Sequence, residues 1–276
     1  MMMKSILAAG VSLLALSAVT TAQAKTVGHV SGGVTYVDND IFSGKGINQY
    51  SFDFEGAAGF DLTPTWNVQF DTHFKSDRLS GGGIFGGKTL AIDTWRAGTQ
   101  IFWRDSSQGM FGVELAYNTL DTGFGGGALD GFLAGLKGEY YGSDQYTIGG
   151  GVTYNTFEGK GSLDTFGGNL FVTYYVNEKT GISLTGDYDD TDVGGSSSNL
   201  TQWTVAGDVE YLFENNLSLS GVVSYGNTDI SSNDFDTITV GAKLKVYFGT
   251  EGSLANQHRT GTLEAPLPSQ FPFFGL

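Results

Sequence analysis

The sequence predicts an all-β fold, a transmembrane antiparallel up-and-down β-barrel of about twelve strands. Three observations carry this. First, 43 glycines, 20 phenylalanines and 13 tyrosines against four prolines in 276 residues suit strands and turns rather than helices. Second, apolar and polar residues alternate with period two over segments of about ten or more residues, long enough to cross a bilayer when tilted. Third, the connections run alternately short and longer, as in a barrel with tight turns at one membrane face and loops at the other.

Taken in order, residues 1–24 stand apart. Lys4 supplies a positive start, Ile6–Val19 an apolar core and Ala22-Gln23-Ala24 a small-x-small cleavage site, so a secretory signal peptide cut before Lys25 is expected. The apolar run falls short of the roughly 20 residues a membrane helix needs. Removing Lys4 with the leader leaves 13 basic residues against 29 acidic, a net charge of −16. Such a chain repels nucleic acid and attracts cations. No later segment is a hydrophobic helix of spanning length, so a membrane role must come from strands.

The barrel is expected over residues 25–249. Val27–Val37 sets Val30, Val34 and Tyr36 against Ser31, Gly33 and Thr35, and Asp38–Gly46 is a polar connection. Ile47–Phe60 places Tyr50, Phe52 and Phe54 opposite Gln49, Ser51, Asp53 and Glu55; a turn around Pro64 follows. Trp66–Lys75 repeats the pattern, and Asp77–Lys88 reads as a glycine-rich loop. Thr89–Trp103 and Met110–Leu120 form a pair, then Leu129–Tyr141 and Tyr146–Phe157 around Gly142-Ser143-Asp144. Leu163–Val176 and Gly181–Tyr188 flank Asn177–Thr180, and Asp189–Asn199 reads as an acidic, serine-rich loop. Leu200–Phe213 and Leu217–Asn227 flank Glu214–Asn216. Phe235–Phe248 completes the set, with Ile238, Val240, Ala242, Leu244 and Val246 on one face and Thr237, Thr239, Lys243 and Lys245 on the other.

A soluble sandwich or lipocalin-like barrel would alternate too. Strand length goes against it, since soluble strands centre on about five or six residues. So do aromatics near strand ends, such as Trp66, Trp103, Phe111 and Tyr140, and polar faces rich in Gly, Ser and Thr rather than Lys and Glu.

With its leader, its alternating strands and a last strand ending Lys245-Val246-Tyr247-Phe248, the chain resembles a Gram-negative outer-membrane β-barrel of porin-like type over about Val27–Gly249. The resemblance implies the cell outer membrane as location. It implies outer-membrane lipids, the barrel insertion machinery and small solutes or ions as partners. One departure is the tail, residues 250–276. Members of that group commonly stop at an aromatic last residue, whereas this chain runs on through Pro266, Pro268, Phe271, Pro272, Phe273 and Phe274 to Gly-Leu. A flexible periplasmic extension is expected there, with docking in the barrel mouth or on a periplasmic partner as the alternative.

Catalytic signatures are sparse. The three histidines, His29, His73 and His258, are too scattered for a metal cluster, and there is no cysteine. Asp71-x-His73 shares a polar face, but no serine is marked to join it in a lipase-like triad. Gly81–Gly86 matches G-x-G-x-x-G without a following helix. Asp187, Asp189, Asp190 and Asp192 could gather a divalent cation, yet lack the ordered spacing of a calcium loop. No enzyme activity, cofactor or metal is expected. What remains is a lumen surface bearing Asp53, Glu55, Asp71, Glu114, Glu139, Asp187, Asp208 and Glu210 against Lys75, Arg96, Lys137, Lys243 and Lys245. That acidic excess points to a narrow passive channel for small hydrophilic solutes with mild cation preference. The alternatives are a non-conducting structural or surface-interaction barrel and, less favoured, an outer-membrane lipid hydrolase.

Overall fold

The computed structural model describes residues 26–40, 47–81, 89–123, 127–159, 161–194, 199–230 and 233–264. The expected leader, most of the glycine-rich stretch (82–88) and the far tail (265–276) lie outside the described residues.

Twelve strands follow in sequence: β1 (Thr26–Asp40), β2 (Ile47–Asp61), β3 (Trp66–Gly81), β4 (Leu90–Asp105), β5 (Gly109–Asp121), β6 (Ala128–Ser143), β7 (Tyr146–Glu158), β8 (Ser162–Asn177), β9 (Thr180–Val193), β10 (Asn199–Leu212), β11 (Leu217–Ile230) and β12 (Asn233–Phe248). Each pairs antiparallel with the next, and β1 pairs with β12 from Gly28↔Phe248 to Asp40↔Asp236, which closes the ring. Closure leaves no sheet edge with unpaired backbone groups, a requirement for a sheet in lipid.

Period-two patterning sorts the side chains. One parity carries Phe52, Phe54, Leu115, Phe132, Leu170 and Val223, all exposed, and the other carries most of the buried polar groups. The exposed apolar face is the surface a bilayer covers. Near the loop ends four outward pairs mark one level of it. Tyr36, Tyr117, Tyr154 and Tyr225 donate to Asn48, Asp130, Asp164 and Asp236 at 2.9, 2.8, 3.2 and 2.7 Å. A ring in the apolar zone with its hydroxyl on a polar partner is how tyrosine sits at a membrane interface. No helix among the described residues is long and apolar enough to cross a membrane.

Three expectations need correction. Asp38–Asp40 and Asp77–Gly81, expected to open loops, belong to strands β1 and β3. The acidic stretch from Asp189 is strand as far as Val193. Its residues alternate faces, with Asp187 and Asp189 inward and Asp190 and Asp192 outward, so the four carboxylates do not converge on one cation. The tail also departs from a flexible extension over Thr250–Glu264. After Phe248 the chain reverses at Gly249 (φ 75°), forms a short helix α1 (Leu254–Thr260) and continues inside the ring. Ser253 caps α1 by accepting from the Asn256 amide, and Leu254 is fully buried. This segment is held because its side chains meet inward-facing residues at the short-turn mouth.

Candidate functional site

A segment that touches β1, β3, β4, β6, β7, β8, β10 and β12 of a closed ring can only lie inside it. Its contacts build up residue by residue. The Leu254 amide donates to the Glu178 carbonyl at 2.7 Å, and the Leu254 side chain packs with Tyr175, Leu212 and Tyr247. His258 Nε2 meets Glu210 Oε2 at 3.0 Å while its Nδ1 lies 3.2 Å from the Tyr175 hydroxyl. Arg259 donates to the carbonyls of Ser143 and Tyr146 at 2.5 and 2.9 Å, and its guanidinium stands over the Tyr141 and Tyr175 rings.

Beyond α1 the chain turns up the lumen. Arg104 donates to the Gly261 carbonyl at 2.5 Å, and His29 Nδ1 lies 2.7 Å from the Thr262 hydroxyl with Glu55 on its other nitrogen at 3.3 Å. Leu263 packs with Phe102, Met110 and Tyr141. Glu264 ends the described chain in an ion pair with Lys245, its carboxyl held well below the usual range chiefly by Lys245 and then Lys243.

Above this segment the wall divides. From β3 to β6 the inward groups are packed into a network: Asp71 pairs with Arg96 and accepts from Gln100 at 3.0 Å, and Glu114 lies 3.8 Å from Arg96 and 2.9 Å from Lys137. Arg96, Gln100, Glu114 and Asn118 are almost wholly buried, so that side offers a solute little polar surface. From β9 to β12 the inward residues Asp187, Asp189, Thr204, Asp208 and Thr239 are half-buried on the lumen side, while Thr191, Glu210, Ser218, Thr228 and Lys245 are buried.

At the loop end the polar parity turns apolar. Ile47, Leu79, Ile92, Leu120, Phe157 and Phe235 form one buried cluster, with Leu90, Leu129 and Leu163 against it. Sequence reasoning missed this collar, although Leu79 shares its face with Lys75, and Phe235 shares its face with Thr237.

All thirteen lumen residues expected from sequence (Asp53, Glu55, Asp71, Lys75, Arg96, Glu114, Lys137, Glu139, Asp187, Asp208, Glu210, Lys243 and Lys245) lie on the inward parity of their strands. The structure gathers them unequally. Asp71, Arg96, Glu114 and Lys137 form the network, Lys75 pairs with Asp77 at 3.1 Å, Lys243 lies 3.8 Å from Glu55, and Glu210 is taken by the tail's His258. His73 lies 3.9 Å from Asp53. His29, Gln69, Arg104, His258, Arg259 and Glu264 were not expected to meet. Among the described residues no group of three or more metal-binding side chains comes together.

No protein-family model matches the chain, and no curated protein matches it in sequence. Solved structures do match its shape. The COG4313 outer membrane channel from Pseudomonas putida F1 superposes with a TM-score of 0.64 at 10% identity, over 82% of this chain and 95% of that one. The beta domain of the Bordetella autotransporter BrkA gives 0.53 at 10% identity, over 79% and 98%. At such identity the likeness is one of fold. The chain has the fold of an outer-membrane β-barrel.

Proposed function

We propose that the protein is a narrow outer-membrane channel through which small hydrophilic solutes diffuse passively with mild cation preference. Solutes follow the β9–β12 wall, past the tail segment that narrows the short-turn mouth. The observation that carries this reading is the half-buried, unpacked acidic surface of Asp187 and Asp208, opposite a wall sealed by ion pairs. Carboxylates facing a wet, low-dielectric lumen draw cations and repel anions. Diffusion needs no catalytic residue. The reading also takes the leader as removed on export and the barrel as inserted among outer-membrane lipids.

Its test is single-channel recording of the refolded protein in a planar bilayer under a salt gradient. Steady openings with a cation-favouring reversal potential support it, and Asp187→Asn with Asp208→Asn should move that potential toward zero. A silent bilayer, with folding confirmed by heat-modifiable gel mobility, would overturn it. That outcome would favour a second reading, a non-conducting structural barrel, which the packed apolar collar and the docked tail support.

A further inference from the structure

The tail also carries a carboxylate to a group of lysines in mid-lumen. Glu264 is ion-paired with Lys245 of β12, and its own backbone carbonyl accepts from Lys137 Nζ of β6 at 3.3 Å. β6 and β12 lie six places apart in a ring of twelve, so these lysines come from opposite walls. A twelve-strand ring is roughly 24 Å across at the backbone, given strand spacing and tilt. Two lysine side chains reaching about 6 Å each leave a gap of about 12 Å. One glutamate, contacted at both its carboxylate and its carbonyl, fills that gap.

Four of the other inward cations have carboxylate partners on the wall itself: Arg96 has Asp71, Lys75 has Asp77, Lys137 has Glu114 and Lys243 has Glu55, while Arg104 holds the tail's Gly261 carbonyl. Lys245 takes its carboxylate from the tail, although its side chain is only 8% exposed. A buried ammonium without an anion is costly, so the position calls for a carboxylate whichever molecule supplies it. Lys243, two residues along β12, lies on the same inward face, 3.8 Å from Glu55. The Glu264 side chain is itself 61% exposed, so a free carboxylate can approach the pair.

We propose that Lys245, Lys243 and Lys137 form a binding site for small dicarboxylates, and that Glu264 is its resident occupant, held in cis. The spacing names the class. From the Glu264 carboxyl carbon to its carbonyl carbon is a run of five carbons, the skeleton of glutarate. A glutarate-like dianion that displaces Glu264 sets one carboxylate on Lys245 and Lys243 and directs the other toward Lys137. A tethered competitor acts at an effective concentration of about millimolar, so the filled site binds free ligand weakly.

The test is calorimetric titration of glutarate into the folded protein in detergent micelles at low salt, for wild type, Glu264→Ala and the double variant Glu264→Ala/Lys245→Met. Folding of each is confirmed by heat-modifiable mobility. The expected result is binding at least about tenfold tighter in Glu264→Ala than in wild type, lost again in the double variant. In wild type, saturating glutarate should also speed amide exchange at Leu263 as the tail is displaced. Equal affinity in wild type and Glu264→Ala, or binding that survives Lys245→Met, would overturn the proposal and leave Glu264 a structural latch. The heat of binding does not require conduction. A silent bilayer would therefore end the channel reading alone, and absent glutarate binding would end this one alone.

Discussion

Gln69 and Leu263, 194 positions apart, exchange two hydrogen bonds: the Leu263 amide donates to Gln69 Oε1 at 2.7 Å, and Gln69 Nε2 returns to the Leu263 carbonyl at 2.8 Å. A side-chain amide on β3 thus treats the tail as a neighbouring strand would, and both partners are buried. Gln69→Ala leaves a buried N–H and C=O of residue 263 without partners, a cost of about 1–3 kcal/mol each in the docked state. Hydrogen exchange should show the amides of 261–264 losing about tenfold or more in protection. Strand amides of β10 and β11, which residues 261–264 do not touch, should be unchanged.

The turn that admits the tail depends on Gly249. Its φ of 75° disfavours other residues, and a Cβ there would collide with the Thr26 carbonyl oxygen. Gly252 also has positive φ, at 98°, but a Cβ there meets only open space and the Asn256 side chain. Gly249→Ala should therefore destabilise by about 2–3 kcal/mol and Gly252→Ala by about 1 kcal/mol, read from denaturant unfolding in micelles.

Burial should separate two arginines. Arg96 is fully buried between Asp71 and Glu114, whereas Arg78 forms a largely exposed pair with Asp93 at 3.0 Å. Arg96→Ala strands two carboxylates in a packed wall and should cost about 3–5 kcal/mol. Arg78→Ala should cost about 0–1 kcal/mol. Near-equal losses would contradict the sealed wall.

The Glu264 carboxyl is held well below its usual range, first by Lys245 and then by Lys243. A depressed value in the docked state means that Glu264 stabilises docking fully above its undocked pKa, about 4.3. That stabilisation is lost as pH falls through the docked value. The extra tail protection of wild type over Glu264→Gln should hold from pH 8 to 6. It should shrink only below about pH 4, in hydrogen exchange compared protein against protein at each pH.

The ring and its inward parity were legible because they are local. Residues two apart share a face, and outward Phe, Leu and Tyr against inward Gly, Thr and charge repeat that fact strand after strand. The tail was not legible, because its partners lie far off in sequence. His29 meets Thr262 across 233 positions, and Arg259 reaches back 116 positions to Ser143. No periodicity marks Thr250–Glu264, and a seven-residue helix ahead of a proline-rich sequence looks like an extension until the lumen around it is known. Asp189 to Asp192 were misplaced for a related reason. Carboxylates suggest a loop, yet backbone pairing with β8 and β10 carries the strand past them, from Asp189↔Gly167 to Asp192↔Asp164 and Asp192↔Asn199.

The most direct measurement is the unitary conductance of the refolded protein beside a chain ending at Thr250, each checked for a folded barrel by heat-modifiable mobility. All twelve strands and the β1–β12 seam remain in the shorter chain. If the lumen conducts and the tail narrows its mouth, the wild type opens to small steps and the shortened barrel to distinctly larger ones, with cation preference kept. Identical steps from both, or silence from both, would contradict a conducting lumen narrowed by its own C-terminal segment.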